Sequence, residues 1–262
     1  MSGHKPQPLE NAMRPAALPE QLRIACAQCN LVELCLPVGL PANDLKKLDT
    51  LVSVRKRVKR HQALFESQAP FEALYAVRLG SFKTVLTLTD GREQVTGFQM
   101  TGELLGLDGI GSGRHAVTAI ALEDSEVCVI EYAQLEALSQ EIPALMTQFH
   151  KVLSREIVRE QGVMTLLGSM RAEERLAAFL LNLSQRFATR GFSPTQFRLR
   201  MTREEIGSYL GLKLETVSRT LSAFQEAGYL RVDRREIVLL DREGLRQLLY
   251  PERTDPATAA TP

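Results

Sequence analysis

Residues 201–225 read MTREEIGSYLGLKLETVSRTLSAFQ, the pattern of two short helices joined by a tight turn. Thr202 is placed to cap a helix start, and Glu205 three positions on completes a reciprocal capping box. Ile206 with Tyr209 and Leu210 supplies that helix with an apolar face, and Gly211 permits the turn. The second helix, expected over 214–226, buries Val217, Leu221 and Phe224. It turns Glu215, Ser218, Arg219 and Ser222 outward at i, i+3, i+4 and i+7. Such a face suits the major groove of double-stranded DNA. Arg219 has the planar fork that matches the O6 and N7 acceptors of guanine, Glu215 accepts from a cytosine amino group, and Ser218 serves base or phosphate. A carboxylate carried toward phosphates argues for base reading over general electrostatic adhesion, which favours Lys or Arg. A helix pair used only for packing does not require this polar row.

Beyond Gly228, the runs 229–232 and 236–240 flank Asp233-Arg234-Arg235 and predict a small hairpin with a basic tip, a wing beside the helix pair. Upstream, Pro143 opens an amphipathic stretch to about residue 170. Met146, Phe149, Leu153, Glu160, Val163 or Met164, and Leu167 recur in it at three- and four-residue steps. A two-stranded coiled-coil seam and packing against the chain's own core both produce this spacing; we read Met146, Phe149, Leu153, Glu160 and Leu167 as a dimerisation seam. Glu160 on that seam either faces its mate in the partner helix, keeping the dimer marginal, or rotates out to water. From about 51 to 132 the pattern changes to short β-type runs broken by glycine and turn residues, predicting a compact antiparallel domain. Within it, 84–89 and 94–98 flank Asp90-Gly91, a hairpin with an exposed tip.

The 262 residues, 44% hydrophobic, suffice for two modest domains. With 32 basic against 31 acidic residues there is no global basic excess, so any DNA contact is local. Residues 171–250 hold 14 of the basic and 10 of the acidic residues, which mildly favours that half. Neither a signal-type nor a membrane-spanning apolar run occurs, so a cytoplasmic protein with no membrane partner is expected. Residues 1–20, with three prolines, read as a mobile arm, and 251–262 as a flexible tail.

The four cysteines are more informative. Cys26, Cys29 and Cys35 follow a C-x2-C-x5-C spacing, and Cys128 lies far downstream in Val127-Cys128-Val129-Ile130. In a reducing compartment such a cluster points to metal rather than disulfides. Spacing alone leaves zinc and iron–sulfur both open. His4, His61, His115 and His150 are scattered, and Gly109-x-Gly111-x-Gly113 fits neither a phosphate loop nor a dinucleotide fingerprint, so no catalysis is expected. A heme or small-ligand sensor would leave the cysteines without a role.

From residue 26 to about 249 the chain resembles the Crp–Fnr family, specifically its Fnr-type anaerobic regulators. The carriers are Cys26-Ala27-Gln28-Cys29 with Cys35 and Cys128, then Ala172-Glu173-Glu174-Arg175-Leu176-Ala177-Ala178-Phe179, Arg190-Gly191-Phe192-Ser193-Pro194, and Glu215-Thr216-Val217-Ser218-Arg219. The resemblance implies an α+β chain: a cysteine segment and β-roll sensor over 21–142, a dimerisation helix over 143–170 and a winged helix-turn-helix over 171–250. It further implies a homodimer carrying one oxygen-labile [4Fe–4S] cluster per subunit on Cys26, Cys29, Cys35 and Cys128. Glu215, Ser218 and Arg219 fall where that family reads TTGAT-like inverted repeats, activating or repressing transcription without oxygen; cluster loss in air inactivates it. Contact with RNA polymerase is also implied, and the Asp90-Gly91 tip resembles one such surface. Leu34 beside Cys35 is read as a shield for the cluster and Asn30 beside Cys29 as a tuning residue. The family's nucleotide-binding branch grips phosphate with an Arg-Ser or Arg-Thr pair after a glycine- and Glu-containing cassette. Here Gly102-Glu103-Leu104-Leu105-Gly106-Leu107 is kept, but Arg114 precedes His115-Ala116, so no cyclic nucleotide is expected.

Overall fold

The computed structural model of the chain describes residues 26, 29, 31, 35 and 39–249; the expectations for the arm 1–20, the tail 251–262, Asn30 and Leu34 lie outside these residues. The helix α1 (Ala42–Leu51) leads into a β-roll of eight strands: β1 (Val52–Val58), β2 (Ala63–Phe65), β3 (Ala73–Leu79), β4 (Ser81–Thr87), β5 (Glu93–Met100), β6 (Leu104–Leu105), β7 (Thr118–Ala121) and β8 (Ser125–Glu131). They form two four-stranded antiparallel sheets in the orders β1-β8-β3-β6 and β2-β7-β4-β5. Alternate side chains of each strand point to opposite faces. Val77, Phe82, Ala119, Ala121 and Val127 fill the space between the sheets. The β4–β5 hairpin closes on a turn in which Gly91 takes φ 82° and its N–H donates to Leu88 O at 2.9 Å.

After β8 come α2 (Tyr132–Glu141) and the long α3 (Pro143–Ser169), where Pro143 occupies a first-turn position that needs no amide donor. The apolar stripe of α3 divides between two uses. Leu145 and Phe149 are 0% and 3% exposed and pack with α1, α2 and β8 in the subunit's own core. Phe149 therefore corrects the expectation that it lies on an open seam. Met146 and Leu153 are half-buried beside the same core, whereas Ile157, Glu160, Met164 and Leu167 are exposed.

The C-terminal half runs α4 (Ala172–Ala188), β9 (Gln196–Arg198), α5 (Arg203–Leu210), α6 (Leu214–Glu226), β10 (Leu230–Asp233), β11 (Glu236–Leu239) and α7 (Arg242–Gln247). Its wing has three strands, in the order β10-β11-β9, one more than the sequence pattern indicates. The core of this half is continuous with the β-roll: Val85, Val95, Phe98, Met100 and Leu122 join Phe179, Leu180, Leu183, Ile206 and Leu221 in one cluster. Phe98, Phe179 and Tyr209 form an aromatic triad across the junction, with ring centroids 5.2–6.1 Å apart. No helix among the described residues is long and apolar enough to cross a membrane.

Candidate functional site

Local chemistry builds the helix pair. Thr202 Oγ1 accepts from the Glu205 N–H at 3.1 Å and Glu205 Oε2 accepts from the Thr202 N–H at 2.6 Å, the reciprocal box that starts α5. Gly211 ends it at φ 64°. Burial of Val217, Leu221 and Phe224 (0%, 2% and 3% exposed) fixes the rotation of α6. Glu215, Arg219 and Ser222 consequently face solvent together. Ser218 is half-buried, and its Oγ accepts from Arg203 Nη1 at 3.2 Å. That bond occupies an acceptor position on the hydroxyl and leaves its O–H as donor. Sequence reading missed Arg203; its one signal is a cation in the first turn of α5. The wing presents Asp233-Arg234-Arg235 at its tip, with Arg234 at φ 54°.

The same α5 is tied to the sensor. Lys83 Nζ of β4 donates to Glu205 Oε1 at 2.8 Å, the Val95 N–H donates to Ser208 Oγ at 2.9 Å, and Gln94 Nε2 donates to the Ser208 carbonyl. Glu205 thus caps its own helix and anchors it to the β-roll. Burial raises its pKa, but the bonds from Lys83 and Thr202 more than offset this and hold the carboxyl below the usual glutamate value.

All four cysteines line one small pocket, whose remaining walls are aliphatic apart from Arg78. Strand alternation sets one of them: Val127 points between the sheets and is 0% exposed, so Cys128 points to the other face, under the cysteine segment. The segment is held by hydrogen bonds from the Cys26 N–H to Asp49 Oδ1, from the Cys29 N–H to Cys26 O (3.1 Å) and from the Cys35 N–H to Leu31 O (3.0 Å). The thiols are half-buried and none is in a disulfide. Burial, then the proximity of Cys35, Asp49, Cys128 and Cys29, pushes the Cys26 thiol up to about 12. Burial also raises Cys128, against the pull of Arg55. Among the described residues no three His, Cys, Asp or Glu side chains stand together as a metal-ligating group; the thiols share the pocket wall rather than a single point. Sequence reading missed Asp49, which lies outside the cysteine pattern.

Where a nucleotide phosphate would be gripped, the turn is filled from within. Asp108 Oδ2 accepts the N–H groups of Ala116 (2.7 Å) and Val117 (3.2 Å), and Arg114 Nη1 donates to Gln68 O at 2.6 Å. At the hairpin tip, exposed Asp90 accepts from the Arg92 N–H at 3.1 Å and Arg92 Nε at 2.8 Å. Along α3, the exposed row Ile157, Glu160, Met164 and Leu167 has the steps of a coiled-coil seam. Ile157 was overlooked in the sequence, although it stands one helical turn after Leu153.

Residues 55–141 match the family model described as a cyclic nucleotide-binding domain, and residues 174–248 match that of a Crp-like helix-turn-helix domain. The chain is 51% identical over 227 residues to the "Transcriptional regulatory protein btr" of Bordetella pertussis, spanning 87% of this chain and 94% of that one. It is 44% identical over 225 residues to the "Fumarate and nitrate reduction regulatory protein" of Escherichia coli, spanning 86% and 90%. Among solved structures, FixK2 from Bradyrhizobium japonicum superposes with a TM-score of 0.68 at 32% identity, covering 74% of this chain and 96% of that one. With a β-roll, a long helix and a helix-turn-helix pair in one chain, and relatives of this identity over nearly their full length, the protein belongs to the Crp/Fnr family of transcription regulators, which are not enzymes.

Proposed function

We propose that this regulator is a cytoplasmic, oxygen-responsive homodimer that reads TTGAT-like inverted repeats through Glu215, Ser218 and Arg219 and carries one [4Fe–4S] cluster per subunit on Cys26, Cys29, Cys35 and Cys128. Residues 21–142 serve as sensor, 143–170 as dimerisation helix and 171–250 as DNA reader. The observation that carries the reading is four half-buried thiols, none in a disulfide, lining one apolar pocket, three from outside the β-roll and one from β8. Four thiols in such a pocket suit a cluster chemically: each is a soft ligand that loses its proton on metal binding, and the aliphatic walls limit water. The cluster supplies, when bound, an oxygen-labile cross-link between the cysteine segment and the sheet. Around it, Asp49 holds the Cys26 backbone, and α1 and α3 pack on the same core as Cys26, Cys35 and Cys128, so the order of the segment is coupled to the helix that pairs subunits.

The exposed row Ile157, Met164 and Leu167 supports dimerisation, with Glu160 among them keeping the pair marginal. Asp90 and Gly91 at the exposed β4–β5 tip offer a contact for RNA polymerase. A cyclic nucleotide is not the effector: Asp108 already takes the backbone donors of the turn, and Arg114 is turned to Gln68. The test is anaerobic purification with iron, sulfide and zinc analysis, then visible absorbance and operator binding before and after a pulse of air. A brown protein that loses colour and DNA affinity together is expected. Stoichiometric zinc without iron, with binding unaffected by air, overturns the sensor reading and leaves the DNA-reading half standing.

A further inference from the structure

The acidic residue of the cassette, Glu103, is engaged by the rest of the chain. It lies in the turn between β5 and β6, its side chain 15% exposed, and Oε2 accepts the Met100 N–H at 3.0 Å. Two guanidinium groups, one from the last turn of α4 and one from the turn that follows it, close on the carboxylate: Arg186 at 2.5 Å (Nη2 to Oε2) and 3.1 Å (Nε to Oε1), and Arg190 at 2.6 Å (Nη2 to Oε1). Both arginines also donate to backbone carbonyls of the same turn region, Arg186 to Phe98 O and Arg190 to Thr101 O, each at 2.6 Å. Arg159 of α3 stands 3.7 Å away and pairs with Glu156 at 2.6 Å. Three elements therefore meet on one carboxylate: the sensor's cassette turn, the long helix and the helix that carries the DNA reader. Cys35, Glu103, Glu156, Arg159, Arg186 and Arg190 line a common cavity of about 290 Å3. Burial alone would raise the pKa of Glu103, yet Arg186 and Arg190 hold it below the usual value, so it stays ionised at neutral pH.

Charge-assisted, partly bidentate contacts constrain direction as well as distance. A helix-turn-helix dimer reads an inverted repeat only when its two recognition helices stand at a set separation. We infer that Glu103 is a positioning residue for DNA reading: by holding Arg186 of α4 and Arg190 of the turn after it against the sensor and Arg159 of α3, it sets the orientation of each DNA-reading domain on the dimer, and hence the half-site spacing the dimer accepts. The inference rests on the helix-turn-helix dimer proposed above but concerns residues outside both α6 and the four cysteines.

The experiment measures anaerobic binding of full-length protein, at fixed salt, to a set of duplexes. The set holds inverted repeats of a TTGAT-like half-site at the best spacing and one base pair either side, and one single half-site. Glu103→Gln keeps the shape and removes the charge. It is expected to lose about tenfold in affinity at the best spacing, within the range of ordinary coupling between sites, with the spacing preference flattened and single half-site binding unchanged. Arg186→Met removes the same contact from the α4 side, together with the bond to Phe98 O, without changing a residue of the turn. It is expected to give the same profile, and the double variant less than the sum of the two losses, because both changes break the Glu103–Arg186 pair. Wild-type preference in both variants, or an equal loss on every duplex, overturns the inference while leaving the DNA-reading assignment in place. Wild-type protein that binds none of the duplexes overturns both.

Discussion

Alanine at Gly207 sets two effects of similar size against each other, and the structure decides the outcome. Gly207 lies inside α5, and a Cβ there would stand 2.6 Å from Leu212 O, with Leu212 C and Val217 Cγ2 each at 3.5 Å. The Leu212 carbonyl belongs to the turn between α5 and α6, and the Leu212 N–H donates to Gly207 O at 2.8 Å, so the carbonyl cannot swing aside without opening the turn. Alanine gains about 1 kcal/mol over glycine in a helix interior. Overpacking against a backbone atom costs about 1–3 kcal/mol, leaving a net loss of about 0–2 kcal/mol. For a chain of this size that lowers Tm by up to about 8 °C. Relief of the clash moves α6, which carries Val217 against α5 and, in the proposed reading, presents the exposed Glu215 and Arg219 to the bases. Specific operator binding should therefore fall about tenfold, since a few misaligned base contacts are worth 1–3 kcal/mol each, while binding to a scrambled duplex barely changes. Thermal unfolding and fluorescence anisotropy with both duplexes measure this. A rise in Tm with specific affinity intact would show that α5 and α6 have room the geometry denies them, and would refute the reasoning.

Arg219→Lys keeps the charge but loses the two-pronged donor. Discrimination for guanine at one half-site position should drop by about 1–3 kcal/mol, with the salt dependence of binding unchanged; a uniform loss across base substitutions would count against base reading. Met164→Lys places a cation on the exposed row of α3 and should shift the protein toward monomer in analytical ultracentrifugation, weakening inverted-repeat binding and lowering Tm only to the extent that dimerisation raised it, because Met164 is 70% exposed in the subunit. Glu205 has a folded pKa below its ordinary value of 4.5, so its stabilising contribution is complete above that value and is lost as pH falls through the lower folded value. Glu205→Gln should lower Tm at pH 7 and flatten the acid limb of a Tm-against-pH curve; a parallel curve displaced downward would mean that the carboxyl charge is not what stabilises.

The helix pair was legible because its determinants lie within a few residues of one another: Thr202 and Glu205, Gly211, and the i, i+3, i+4, i+7 row of α6. The cysteine spacing was equally legible, although only strand alternation in β8 places Cys128 on the sheet face beneath the other three. The third wing strand, Gln196–Arg198, escaped notice because three residues in a polar run show too little alternation to stand out; it exists through its pairing with β11.

What the sequence by itself determined, then, is the sequence of elements: strands over 52–131, the long helix after Pro143, the capped helix pair and the wing. These follow from periodicity, capping and turn chemistry, which act over one or two turns of chain. Tertiary structure decided how their faces are shared. A 3.6-residue stripe on α3 says that one face is covered but not by what; the fold assigns Phe149 to the subunit's own core and leaves Ile157 and Met164 open. Glu205 reads as a cap, yet its second partner, Lys83, lies 122 residues away. Contacts of that separation depend on which surfaces remain apolar and unpaired once the local elements have formed, and no local pattern encodes that choice.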